Sequence, residues 1–226
     1  MKKALSLKAQ NVKQIGAVIL ADALLLGALA FPATLAQAAT VLAGVRIAGA
    51  TITPLIVLLL TSLLSADVKA ILVYWRVRDV LPGHRAFSVY ALKDSRIDIE
   101  RLRAVVEEFP TSPRDENIAW YRLFKQVESD TGVAQAHRAF LLFRDLAALS
   151  FLLAVAAPIA LLVIGAASEL AWIAVGVIVT QFIATAGAAR FNGERFVCNV
   201  LALHGAASEP KAKRQRSPHG HKRAER

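Results

Sequence analysis

The run LAALSFLLAVAAPIALLVIGAA, residues 146–167, followed after Ser168-Glu169 by LAWIAVGVIVTQFIATAGAA, residues 170–189, decides the fold. Each run supplies about the twenty apolar residues that a helix needs to cross the ~30 Å hydrocarbon core of a bilayer. A two-residue polar break between two such runs is the pattern of a transmembrane hairpin. Two earlier blocks, residues 15–43 and 47–74, repeat it, and a charge-dense middle of residues 74–145 separates the pairs. The fold class that follows is all-α: an integral membrane four-helix bundle of two hairpins, with a cytoplasmic helical insert between spans two and three. Its divisions are a basic N-terminal segment (1–14), a first hairpin (15–73, spans about 15–38 and 47–73) and the insert (74–145). A second hairpin (146–190, spans about 146–167 and 169–190), a helix extension (191–205) and a disordered basic tail (206–226) complete it.

Composition agrees. At 56% hydrophobic residues and a mean hydropathy of +0.48, the chain carries more apolar surface than a soluble domain of this size can hide. The net charge of +10 resembles a nucleic-acid signature until it is located: residues 1–14 hold +4, residues 206–226 hold +5 and the insert only +1. Basic excess beside membrane helices is retained in the cytoplasm. The links within the two hairpins offer only Arg46 and Glu169, whereas Arg76, Arg78, Arg138, Arg144, Arg190 and Arg195 lie at the opposite span ends. Both termini and the insert are therefore assigned to the cytoplasmic face. The single cysteine, Cys198, excludes an internal disulfide and fits a reducing compartment.

A secretory signal peptide is the rival reading of residues 1–38: Lys2 and Lys3, an apolar core from residue 15 to 31, then Ala36-Gln37-Ala38 before Ala39. A fourteen-residue lead, Asp22 inside the apolar core and a second span beginning eight residues after the cut favour a retained span. Pro32, Pro54 and Pro158 are read as kinks, with a gating hinge as the alternative. The small residues of 184–189 predict the tightest helix contact of the bundle. Asp22 is the candidate intramembrane polar site. It is either functional, as buried ionisable groups in spans tend to be, or a packing partner for a Thr or Gln on a neighbouring span. Asp67 and Lys69 are expected to reach the interface or neighbouring helices, and Tyr74 with Trp75 to mark the aromatic belt.

In the insert, the second span is expected to continue as helix to Leu81, before the Pro82-Gly83 turn. A helix capped by Asp94 or Ser95 carries Ile97, Leu102, Val105, Val106 and Phe109 at helical spacing and ends at Pro110. Ser112, Pro113 and Asp115 form a start signal for a second helix, with Ile118, Tyr121, Phe124 and Val127 on one face and Trp120 beside them, ending near Gly132. Residues 133–146 are expected to flow into span three, and span four to continue past Arg190 through Phe191, Phe196, Val197, Val200 and Leu201. Protruding spans and insert helices then share one core, larger than seventy residues could build alone.

Motifs for chemistry are absent from the sequence: no glycine-rich phosphate loop, no Gly-x-Ser-x-Gly, no paired-cysteine motif. His84 and His137, each opening a His-Arg-Ala-Phe tetrapeptide, lack partners at ligand spacing, so no metal, cofactor or catalytic residue is assigned. Glu107-Glu108 and Asp115-Glu116 are read as wet helix faces. Arg76, Arg78, Arg85, Arg138 and Arg144 gather at the inner ends of spans two and three. They are candidates for contacts with lipid headgroups or for an anion pocket. Trp120 and Tyr121 are the candidate partner face. The tail, with its lysines, arginines and prolines, favours a lipid surface over nucleic acid, since it lacks interleaved aromatics.

The segments YWRVRDVLPGHRAFS (74–88), DSRID (94–98), ENIAWY (116–121) and FRD (143–145) resemble those of small bacterial membrane proteins of uncharacterised function. The resemblance covers the middle third. It implies an inner-membrane setting and supplies no activity. The functional expectation is a non-enzymatic anchor or signalling protein whose insert binds a cytoplasmic protein or an anionic ligand. A small channel or transporter formed by homo-oligomerisation is the alternative, and a lipid-linked enzyme using His84 or His137 the third.

Overall fold

The computed structural model describes residues 7–30, 63–163, 165 and 169–206. Among them the regular structure is entirely helical. Helix α1 spans Leu7–Ala30, α2 Ala66–Tyr74, α3 Ile99–Val106, α4 Pro113–Val127, α5 Thr131–Val163 and α6 Glu169–Gly205. A chain of short helical turns runs between α2 and α3: a 3₁₀ turn Pro82–Arg85, a π turn Ala86–Tyr90 and an α turn Ala91–Lys93. Among the described residues three helices, α1, α5 and α6, are long and apolar enough to cross a membrane. Most of the expected second span, the first hairpin link, residues 164 and 166–168, and most of the basic tail lie outside the described residues.

Helices α5 and α6 form the frame, packed together along the most extensive contact of the fold. At 1.5 Å per residue, their 33 and 37 residues extend about 50 and 55 Å, well beyond a ~30 Å hydrocarbon core. The continuity expected at residues 133–146 and past Arg190 is present, and the Asn192-Gly193 step stays helical. At one end of the pair the outward residues are apolar and exposed, among them Val155, Ile159, Leu162, Trp172, Ile173 and Ile183, as a lipid-facing surface requires. At the other end the pair carries a packed body whose core joins Phe87, Leu102, Trp120, Phe124, Val133 and Phe196 to Val197, Val200 and Leu201.

Helix α2 departs from the sequence reading at both ends. The chain breaks at Leu64–Ser65, and the Ser65 hydroxyl accepts from the Val68 N–H to start the helix anew. The helix stops at Tyr74 instead of continuing to Leu81, because Trp75 adopts a left-handed conformation (φ 53°) and its N–H bonds the Ile71 carbonyl at 2.7 Å. Arg190 of α6 fixes that stop: its Nε donates to the Val73 carbonyl, and its guanidinium lies 3.9 Å from the centre of the Trp75 ring. A carbonyl exposed by the helix end thus receives a cationic donor.

The insert helices also shift. Helix α3 begins at Ile99, capped by Asp98, whose carboxylate accepts from the Glu100 and Arg101 N–H groups. Asp94 cannot serve as that cap because Arg96 occupies it through both backbone and side chain. The helix ends at Val106, before Phe109, with Glu107 at φ 65°. Helix α4 starts at Pro113 with Ser112 as its cap, as read from sequence. Its buried face is rotated, however: Glu116, Trp120, Leu123 and Phe124 point inward, while Ile118 and Tyr121 are 41% and 52% exposed. Glu116 is no wet-face carboxylate. It accepts the Phe87 and Ser88 N–H groups at 2.8 and 3.0 Å, satisfying backbone donors of the π turn.

The small residues of α6 divide between two faces. Ala186 and Ala189 are buried against Ala70, Val73 and Ala147 of α2 and α5, whereas Ala184 and Gly187 face outward. A further close approach lies one turn on: a Cβ at Gly193 would fall on the Tyr74 hydroxyl and 3.1 Å from the Phe140 ring. The buried Tyr74 hydroxyl itself has no hydrogen-bond partner among the described residues. Gly193→Ala should therefore destabilise the fold by about 1–3 kcal/mol through overpacking, and Tyr74→Phe should be neutral or stabilising because it removes an unsatisfied buried group. Thermal unfolding in detergent should find the double variant recovering part of the Gly193→Ala loss. Additive losses would refute this contact.

Candidate functional site

A recess lies where α4 meets the protruding ends of α5 and α6. It is a cavity of about 480 Å³, within the range of small-molecule sites. Its walls are aromatic. Trp120 stacks on Phe124 (5.7 Å, 7°), and Phe196 meets both rings edge-on at 5.1 Å. His137 lies flat on Phe196 (4.5 Å, 2°) and edge-on to Phe124 at 5.4 Å, while Phe140, Tyr121, Leu81 and Pro82 complete the lining.

Local sequence explains each placement. Helical spacing brings Trp120, Phe124 and, on the rim, Glu128 to one side of α4. His137 and Phe140 lie three residues apart on α5, and Phe196 belongs to the apolar repeat that continues α6 beyond Arg190. Pro82 and Gly83 form the remaining wall. A Cβ at Gly83 would collide with the Asn117 amide and approach Trp120 Cε3 at 2.9 Å, so only glycine lets this turn sit so near α4. The turn is closed by His84, whose Nδ1 accepts the Leu81 N–H at 3.1 Å. His84 is thus structural, and His137 is the histidine at the cavity. Lys125 and Glu128 at the rim pair with each other, so the lining presents no uncompensated charge.

The candidate residues read from sequence fall in different places. Trp120 and Tyr121 both line the cavity, Trp120 as buried wall and Tyr121 as exposed rim. Arg138 exchanges hydrogen bonds with Asn11: its Nε donates to Asn11 Oδ1, and the Asn11 amide donates to the Arg138 carbonyl, each at 3.0 Å, clipping α1 to α5. Arg144 is held by Asp145 at 3.1 Å. Arg76 and Arg85 are half-buried and Arg78 is exposed. Asp22 is buried between three helices. Gln181 of α6 donates to it at 2.9 Å and also to the Ser150 hydroxyl of α5 at 2.9 Å, which makes Asp22 a glutamine's packing partner.

A second cleft, of about 430 Å³, is lined by Lys93, Asp94, Arg96, Phe191, Arg195 and Cys198 together with neighbouring groups. The forked hydrogen bonds of Arg96 hold the Asp94 carboxyl down at about 2, so this pair stays ionised throughout the neutral range. No group of three or more potential metal ligands occurs among the described residues.

One ion pair was not legible in the sequence. Lys69, expected to reach the interface or neighbouring helices, reaches α5: it is buried (2% exposed) and joins Asp145 (1% exposed) at 3.0 Å, with Arg144 on the same oxygen. Seventy-six residues separate the partners, and no local pattern signals such a contact. Removing one partner strands a buried charge: Asp145→Ala should cost about 3–5 kcal/mol, while Lys69→Met with Asp145→Leu should lose far less, Arg144 turning outward to the boundary. Thermal unfolding of both variants checks this, and equal losses would count against a desolvated pair. Comparison of the chain with protein-family models, with curated proteins and with solved structures found no match to any of them.

Proposed function

We propose that this chain is a membrane-anchored binding protein, without catalytic activity, whose helical body takes up its partner in the aromatic cavity on the cytoplasmic side. The observation that carries the reading is the cavity itself: about 480 Å³, walled by rings from α4, α5 and α6 that belong to the core of the body. A recess lined with apolar rings and few polar groups binds by burial and shape. The membrane helices supply the anchor, since two of them continue without a break into the cavity walls. The basic segments at both ends of the chain support a cytoplasmic position for the body.

The alternative, a small oligomeric channel or transporter, draws on the Asp22–Gln181–Ser150 cluster. Ion flux into liposomes that disappears with Asp22→Asn would support it, and a flat trace from correctly inserted protein would oppose it.

The binding reading is tested on the full chain, extracted with its native lipids and examined by native mass spectrometry. The wild type should carry a stoichiometric partner or small molecule. Leu81→Trp, which fills the cavity, should lose it, Tyr121→Ala at the exposed rim should weaken it about tenfold, and Asp22→Asn should retain it. Wild-type occupancy in a folded Leu81→Trp variant would overturn the reading.

A further inference from the structure

We infer that the occupant of the aromatic cavity is a small, uncharged aromatic molecule bearing one hydroxyl group, its ring seated among the aromatic walls and its hydroxyl on His137. The inference rests on the binding reading above and names the ligand class for that site. Three features converge on it. The first is the arrangement of the rings: Trp120, Phe124, Phe196 and His137 alternate parallel and edge-on contacts at 4.5–5.7 Å, and a flat guest extends such an array with the offset or edge-on contacts that aromatic quadrupoles prefer.

The second is charge. Lys125 and Glu128 neutralise one another at the rim, and Arg144, the nearest cation on the same helix face as His137 and Phe140, lies over Phe140 and bonds Asp145. A charged guest would enter an apolar recess without a counter-ion, which costs several kcal/mol.

The third is the polar group. His137 is half-buried and lines the cavity, with one face covered by Phe196. An imidazole offers one donor and one acceptor, and a hydroxyl is the smallest uncharged group that can answer either. Asn117, at the cavity edge beside Gly83, provides the same dual capacity on the opposite wall.

The test uses the full chain in lipid nanodiscs, with empty nanodiscs as the partitioning control, and two probes of equal shape: 2-naphthol and 2-methylnaphthalene. Calorimetry should find saturable one-site binding of 2-naphthol, at least tenfold tighter than 2-methylnaphthalene. His137→Phe keeps the stacking surface and removes the polar group. It should leave 2-methylnaphthalene binding within threefold of wild type and abolish the preference for 2-naphthol. Leu81→Trp should remove the binding of both probes. Equal wild-type affinities, or a preference that survives His137→Phe, overturn the assignment of a hydroxyl on His137. Heat that scales only with lipid, indifferent to Leu81→Trp, overturns the small aromatic occupant altogether. In either case the partner lost on filling the cavity, measured by mass spectrometry, still decides the binding reading separately.

Discussion

The length of α5 and α6 governs the rest of the structure. Inside a bilayer the backbone can satisfy its polar groups only within its own helix, so a segment that enters the hydrocarbon as helix has no reason to stop at the boundary unless a breaker is present. Neither helix meets one there: α5 runs from Thr131 and α6 runs to Gly205. The body is therefore not a separate domain tethered by linkers. Its core residues Phe196, Val197, Val200 and Leu201 belong to the helix that carries Ile178 and Ala186. Position, orientation and rigidity of the body relative to the membrane helices all follow from that continuity.

Where a helix does stop near the boundary, a side chain from another element stops it. Arg190 satisfies the Val73 carbonyl and covers Trp75, which lets α2 end in a left-handed residue other than glycine, a conformation that otherwise carries a steric cost. Lys69, Asp145 and Arg144 form the polar layer next to it. Such buried pairs contribute little net stability compared with an apolar replacement. Their effect is selective: any slip of α2 along α5 leaves charges unpaired. The Asn11–Arg138 exchange does the same for α1, and Gln181 holds Asp22 and Ser150 together. Four helices are thus set in register by polar contacts, within a bundle whose apolar surfaces alone would tolerate sliding.

The cavity arises from the same geometry. Helix α4 packs against α5 and α6 through large rings, and large rings meeting edge-on leave space between them. Gly83 allows the 82–85 turn to close one side without filling the recess, and Glu116 ties the following π turn to α4 through the Phe87 and Ser88 N–H groups. A binding site at this place needs no moving lid, since its walls are the ends of membrane helices. An occupant that tightens α4 against α5 and α6 acts directly on elements that continue into the membrane.

The sequence by itself determined the all-helical class, the second pair of apolar helices, their continuation as helix past the apolar runs and the Ser112–Pro113 start of α4, because hydropathy, periodicity and caps are local properties written within a few turns of chain. It also singled out Trp120 and Tyr121. Only the tertiary structure decided which side of α4 is buried, where α2 ends, that Lys69 meets Asp145, that Glu116 is a buried acceptor and that His137, rather than His84, stands at a cavity. Each of these depends on a partner tens of residues away. A rotation of α4 by one position exchanges Tyr121 for Trp120 in the core at almost equal hydrophobicity, and an arginine such as Arg190 terminates a helix it does not belong to. Contacts of that kind are settled by packing in three dimensions, where the sequence-local energies of the competing arrangements are nearly the same.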